Sequence, residues 1–167
     1  SLKMELHPTK SNLSFIMEEI NIVISGPCAL GKSSVGKLLV TKLNYQFIET
    51  DLFYQYLVSK TSSFDEEELI NILNNEELKY LFQIDNTTLF YGDGINKQAF
   101  ELSKNDNIRK NISEIIQKNT RQKGFVVVGC DSTEILPDAE IKFYLTANFE
   151  TRVDHRQKQF NSEDLMW

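Results

Sequence analysis

A three-layer α/β/α fold around a central parallel sheet is predicted by three features of the sequence. Gly26-Pro27-Cys28-Ala29-Leu30-Gly31-Lys32-Ser33 is a complete G-x-x-x-x-G-K-[ST] loop, set between the apolar run Ile20 to Ser25 and the helical pattern Ser34 to Leu43. Tyr45-Gln46-Phe47-Ile48 follows as a second short strand, so strand, loop, helix and strand make a βαβ unit with a right-handed crossover and parallel strands. Phe125-Val126-Val127-Val128, ended by Gly129, is an unbroken apolar run of the kind buried on both faces in the middle of such a sheet.

The loop carries the first chemical expectation. Its successive backbone N–H groups form a concave anion site, and the N-terminus of the following helix adds positive dipole. Lys32 is spaced to reach β- and γ-phosphates and Ser33 to ligate Mg²⁺, with Ser34 at the start of the helix behind them. The chain is expected to bind a nucleoside triphosphate.

Composition narrows the partners. A chain of 167 residues is long enough for one domain with a modest insertion and too short for two full domains. One globule is expected, as a monomer. A net charge of -6 with no run of Lys and Arg speaks against nucleic acid, whereas a small anion needs only a few converging cations. Lys32, Arg109, Arg152 and Arg156 are the candidates. Neither a membrane-spanning stretch nor a signal region is apparent, so a cytoplasmic location is expected. Cys28 and Cys130 are too few and too scattered for a disulfide framework or zinc site, and free thiols are the default. Both nevertheless fall in segments expected at the nucleotide-binding edge, which leaves an oxidation-sensitive pair as the alternative.

Taken in order, residues 1–17 are polar and aperiodic, and read as a tag remnant or loose extension ahead of a domain spanning 18–167. The first helix places Val35, Leu38, Leu39 and Leu43 on one side, expected to face the sheet. Asp51 to Lys60 is a second helix, and Ser63-Phe64-Asp65-Glu66 supplies a capping box for a third, through Leu73. The acidic run Asp65 to Glu68 complements that helix's dipole and is not read as a metal site. Leu78 to Ile84 and Thr87 to Tyr91, followed by Gly92-Asp93-Gly94, suggest an antiparallel hairpin. Residues 60–103 thus form a small β-rich insertion. Asn107 to Gln122 is helical, with Ile108, Ile112, Ile115 and Ile116 on one face and Arg109 off that stripe, available to a ligand. Pro137-Asp138 turns the chain into the strand Ile141 to Leu145, and a helix from about Asn148 to Phe160 carries Arg152 and Arg156 four residues apart.

From Leu136-Pro137-Asp138-Ala139 through the strand ending Leu145-Thr146-Ala147 to Glu150-Thr151-Arg152, the chain closely resembles bacterial cytidylate kinases. In that family a G-R-D-x-G loop leads to a P-D-A turn, a strand ending L-x-A, and an E-R-A-x-R-R helix. The likeness runs from Ile20 to about Trp167 and implies a P-loop kinase fold whose insertion holds the nucleoside monophosphate. It implies phosphoryl transfer from Mg·ATP to a pyrimidine nucleoside monophosphate, CMP or dCMP. Glu49-Thr50-Asp51-Leu52-Phe53-Tyr54-Gln55 occupies the place of the family's D-[ST]-G-A-x-Y-R, in which Thr50 and Tyr54 agree. By the same resemblance, Ser103 lies near the serine that contacts cytosine, Arg109 fits an arginine that reaches the acceptor, and Asp131 matches the aspartate of G-R-D, a base contact. Arg152 and Arg156 resemble the pair that stacks on adenine and neutralises the migrating phosphoryl group.

Four positions depart from the pattern. Gln55 stands in place of an arginine for the acceptor phosphate, Cys130 in place of the arginine of G-R-D, and Val128 in place of an acidic residue. Asp51 replaces a glycine and adds negative charge where a phosphate approaches. Neutral side chains cannot make arginine's charge-assisted bidentate contact, so acceptor affinity and transition-state stabilisation are expected to fall. The resemblance also implies that the lid and C-terminal part are incomplete here. Glu49 or Asp51 is then the outer-sphere carboxylate for Mg²⁺. Two alternatives stay open at this stage. One is a degenerate nucleotide-binding protein that transfers nothing. The other is a small-molecule kinase similar to shikimate kinase, whose opening resembles residues 31–36 and 47–51 and in which Asp51 would hold an acceptor hydroxyl or a Mg²⁺-bound water.

Overall fold

The computed structural model describes residues 18–61, 63–74, 78, 81–82, 93–151, 153–154 and 157–158. Four strands, β1 (Asn21–Ser25), β2 (Gln46–Glu49), β3 (Phe125–Val128) and β4 (Ile141–Tyr144), pair in parallel in the order β2-β3-β1-β4. Six helices connect them: α1 (Lys32–Leu43), α2 (Asp51–Lys60), α3 (Glu66–Leu73), α4 (Asp93–Leu102), α5 (Asp106–Thr120) and the short α6 (Ser132–Ile135). The chain turns helical again at Phe149, where the Asn148 side chain accepts the Thr151 amide at 2.8 Å. No helix of the described residues is long and apolar enough to cross a membrane.

Every residue of β1 and β3 is buried, as expected of the two central strands of a parallel sheet. The pleat sends alternate residues to opposite faces. Ile22, Ile24, Phe47, Val126 and Val128 meet Val40 of α1 on one side. Val23, Ile48, Phe125 and Val127 meet α2, α3, α4 and α5 on the other, with Ile108, Ile112 and Ile116 of α5 fully buried as their spacing predicts. These are the three layers. Asn21, buried among apolar neighbours, is hydrogen-bonded on both ends of its amide: it donates to the Thr120 carbonyl at 2.8 Å and accepts from the Phe125 amide at 3.3 Å.

Three local expectations give way to packing. The stripe Val35, Leu38 and Leu43 of α1 is 40%, 57% and 39% exposed, and the helix instead turns Gly36 and Val40 to the sheet with Leu39 partly buried. Closeness explains the choice. A Cβ on Gly36 would lie 2.6 Å from Val128 Cγ2 and 2.8 Å from Phe47 Cε2, so α1 approaches β3 along the one residue without a side chain. At α3 the cap is Asp65, not Ser63: its carboxylate accepts the Glu68 amide at 3.1 Å, while Ser63 Oγ accepts the Asp65 amide one turn earlier.

Among the described residues of the insertion read as β-rich, the regular structure is helical, in α3, α4 and the 3₁₀ positions Leu78, Leu81 and Phe82. The first expected strand is therefore not formed at those three residues, and the second, Thr87 to Tyr91, lies outside the described residues. Helix α4 begins where Gly92-Asp93-Gly94 suggested a turn; it packs Ala99 and Leu102 into the larger core. Gln55 of α2 donates to Asn96 of α4 at 3.0 Å.

Gly36→Ala tests the α1 contact. Alanine is the better helix former by about 1 kcal/mol, yet the stiff, buried Val128 cannot yield, so a net loss of about 1–3 kcal/mol is expected in urea denaturation. A stabilised variant would mean that α1 is not held by this approach.

Candidate active site

The chain leaves β1 for α1 and β2 on one side of the sheet, while β3 has been inserted between β1 and β2. Connections after β1 and β3 thus diverge, and a crevice opens at their carboxyl ends, where ligands of parallel α/β sheets bind. The phosphate loop runs along this crevice. Gly26, at φ 135, is required by contact: a Cβ there would lie 2.3 Å from the Leu145 carbonyl oxygen. Gly31 precedes α1 at φ 76, with nothing within 4 Å of an added Cβ, so the space above the helix N-terminus is open. Between them Ala29 holds φ 63, a conformation that costs an L-residue about 1–2 kcal/mol.

Lys32 is buried and folds back over its own loop, donating to the Pro27 carbonyl at 2.6 Å and lying 3.7 Å from Cys130 Sγ. The Ser33 hydroxyl donates to the Glu49 carboxylate. Glu49 is paired with Val128 in the β2–β3 register. Pro27, Cys28, Leu30 and Ser34 complete the loop, with Cys28 and Ser34 at its exposed rim.

Across the crevice, β2 is followed by Thr50, fully buried, whose hydroxyl donates to Asp131 Oδ1 at 3.2 Å. Gly129 is tight against it: a Cβ there would lie 1.9 Å from Thr50 Oγ1. Asp131 stands at the N-terminus of α6, but its carboxylate does not cap that helix; it accepts from Thr50 instead. The Asp51 carboxyl is pushed up from an ordinary 3.8 to about 6, first by desolvation and then by the negative charges of Cys28, Glu49 and Asp131, against which Lys32 acts. Its outer side is open to solvent, which limits how far burial alone drives it. Tyr54 is buried with its hydroxyl unpartnered, and burial, the Asp131 charge and the Asp51 charge hold its proton on more tightly than usual.

Arg109 also acts on Tyr54, from α5, so the resemblance-derived group Thr50, Asp51, Tyr54, Arg109 and Asp131 converges around one space. The guanidinium is not idle, however. It donates to Glu134 of α6 at 3.1 Å, in a pair whose side chains are 39% and 76% exposed. Ser103 lies at the end of α4 with its hydroxyl donating to the Phe100 carbonyl at 2.7 Å. Arg152 and Arg156 lie outside the described residues. The pairing of Arg109 with Glu134 was not legible in the sequence, since it depends on α6 being folded beside α5, whereas Cys28 and Cys130 do both lie at the nucleotide-binding edge as expected. Cys130 Sγ lies 3.4 Å from Cys28 Sγ, and that hydrogen bond together with burial raises the Cys130 thiol well above its usual range.

Among the described residues no three His, Cys, Asp or Glu side chains are clustered to cage a metal. A hydroxyl with one carboxylate behind it suits Mg²⁺ brought in on phosphate oxygens, which keeps most of its shell as phosphate and water. The donor set at Ser33 and Glu49 fits that ion.

Comparison with known proteins agrees with this geometry. The cytidylate kinase family model matches residues 22–166. A cytidylate kinase of Caldicellulosiruptor bescii is 32% identical over 157 residues, covering 84% of this chain and 69% of the relative. One from Mycoplasmopsis pulmonis is 36% identical over 160 residues, covering 87% and 72%, and one from Streptococcus sanguinis is 29% identical over 166 residues, covering 89% and 74%. With a phosphate loop at the carboxyl end of β1 and a match that spans nearly all of the sheet and its helices, the chain belongs to the cytidylate kinase family.

Proposed function

We infer that this chain transfers a phosphoryl group from ATP to CMP or dCMP. The observation that carries the reading is the opening of two groups, Lys32 with Ser33 and Thr50 with Tyr54 and Asp131, into one crevice at the carboxyl ends of adjacent strands. Donor and acceptor phosphates can then meet in line, which is where positioning supplies most of the catalysis.

The donor side is Gly26 to Ser34. Its amides cradle the phosphates, and the Lys32 ammonium exchanges the Pro27 carbonyl for phosphate oxygens. Ser33 and Glu49 are the residues that would hold the metal, the hydroxyl as a ligand and the carboxylate behind it. Mg²⁺, when bound with the nucleotide, supplies charge neutralisation on the β- and γ-oxygens.

On the acceptor side, Asp131 accepts from the exocyclic amino group of cytosine, a contact that uracil's carbonyl cannot return. Thr50 fixes the Asp131 carboxylate. Tyr54, protonated at neutral pH, offers its buried hydroxyl to the bound nucleotide. Arg109 takes the acceptor phosphate, and its exposed pair with Glu134 is weak enough, at about 0–1 kcal/mol, for a dianion to displace. Ser103 is carried as a base contact by resemblance alone. Arg152 on the adenine and Arg156 on the migrating group are likewise part of the proposal, with Arg156 bearing more of the transition-state charge because Gln55 and Cys130 are neutral.

The direct test is ADP release with each acceptor. Turnover is expected with CMP and dCMP, weaker turnover with UMP, and none with shikimate. Nucleotide binding without acceptor-dependent turnover would make the chain a binding module, and turnover with shikimate would reassign the acceptor. Lys32→Ala is expected to abolish the thermal stabilisation by Mg·ATP, which for the parent chain at one hundred times Kd is worth about 2.7 kcal/mol. Asp131→Asn is expected to reduce the preference for CMP over UMP by about 1–3 kcal/mol in kcat/KM.

Asp51 gives a pH signature in the nucleotide-free chain. Because its folded value, about 6, exceeds the ordinary 3.8, the folded chain holds a proton that the unfolded chain has lost between those limits. Its contribution to stability therefore falls as pH rises through that window, and the cost is fully present above it. Asp51→Asn is expected to melt higher than the parent at pH 7, with the gap closing towards pH 4. A gap independent of pH would remove Asp51 from this account.

A further inference from the structure

Cys28 and Cys130, 102 positions apart in sequence, meet at the mouth of the nucleotide crevice with their sulfurs 3.4 Å apart, both as exposed thiols. A disulfide is about 2.05 Å long, so bonding asks for a closure of about 1.4 Å. Cys130 is held by its backbone, since its carbonyl accepts from Ser25 Oγ at 2.8 Å and the next residue, Asp131, is bonded to Thr50. Cys28 sits mid-loop between Gly26 and Gly31, both at positive φ, and beside the strained Ala29.

We propose that Cys28 and Cys130 form a reversible disulfide that locks the phosphate loop against the turn after β3 and excludes the nucleotide. The inference rests on the loop being the ATP site, as proposed above. The oxidant is a small disulfide of the glutathione type. One cysteine, as thiolate, attacks a sulfur of that disulfide, forming a mixed disulfide and expelling one small thiolate; the second cysteine, as thiolate, then attacks the protein sulfur of the mixed bond and expels the other. Two protein thiols and one small disulfide become one protein disulfide and two small thiols, with two electrons and two protons passing to the oxidant. The Lys32 ammonium, 3.7 Å from Cys130 Sγ, opposes the upward push that the Cys28 hydrogen bond and burial give that thiol.

Once bonded, the middle of the loop cannot open around a phosphate, and Lys32 stays folded onto the Pro27 carbonyl between loop and turn. By linkage, bound nucleotide must oppose the bond as strongly as the bond opposes nucleotide.

The experiment is to oxidise the chain with oxidised glutathione and read three quantities. Intact mass is expected to fall by about two hydrogens with no disulfide-linked dimer. Affinity for Mg·ATP is expected to drop at least tenfold and to return with dithiothreitol. Prior saturation with Mg·ATP is expected to slow disulfide formation. In Cys130→Ser the ratio of oxidised to reduced affinity should become one, whatever that variant's own affinity. Persistence of both thiols, a stable mixed disulfide, an intermolecular bond, or a disulfide-bonded chain that binds as tightly as the reduced one would each overturn the switch. If the reduced chain itself binds no Mg·ATP, the proposed function falls, and the switch with it.

Discussion

The parallel pairing of β1 with β3 is the constraint on which the rest of the molecule depends. It sets Ile24 beside Val128 and so puts two chain exits, the phosphate loop and the Gly129-Cys130-Asp131 turn, next to one another on a common edge. Short polar bonds then fasten the edge: Ser25 Oγ donates to the Cys130 carbonyl, and Ser132 Oγ donates to the carbonyls of Ile24 and Gly129. Buried hydroxyls serve here because they reach a carbonyl without bringing a net charge into the core. Glycine does the remaining work of approach, at Gly36 against Val128 and at Gly129 against Thr50, where any side chain would push the layers apart.

Electrostatics give the crevice an unusual balance. Glu49, Asp51 and Asp131 crowd it with carboxylates, while Lys32 is the cation whose field reaches both Asp51 and Cys130. Such a site repels a bare phosphate and accepts one that arrives neutralised by a metal or met by a guanidinium. Arg109 is paired with Glu134 at the rim. The neutral side chains at Gln55 and Cys130 have structural occupations of their own: the first bridges α2 to α4, and the second lies against Cys28 and Lys32. Neither position is a simple gap in a binding surface.

How far the sequence is readable depends on the range of the forces involved. Helix α2 and strand β3 match their expected limits because capping, periodicity and unbroken apolar runs are local signals. Helix α1 was legible as a helix and illegible in orientation: its leucine stripe promised one face, but the sheet takes the face with no Cβ at Gly36. Helix α4 was hidden because Gly92-Asp93-Gly94 carries strong turn chemistry, which packing of Ala99 and Leu102 into the core outweighs. Of the site, the donor half could be read as a contiguous motif, whereas the acceptor half is scattered over β2, α2, α5 and the β3 turn and was reached only through resemblance.

By itself, the sequence determined that this chain holds a phosphate loop between a strand and a helix and a parallel α/β core, because each of these is written in neighbouring residues. Only the tertiary structure decided that Ser33 is bonded to Glu49, that Arg109 is paired to Glu134, and that Cys28 and Cys130 face each other across the loop. Those are meetings between residues from different segments of the chain. Strand register and helix approach bring them together, and no local pattern of residues encodes either.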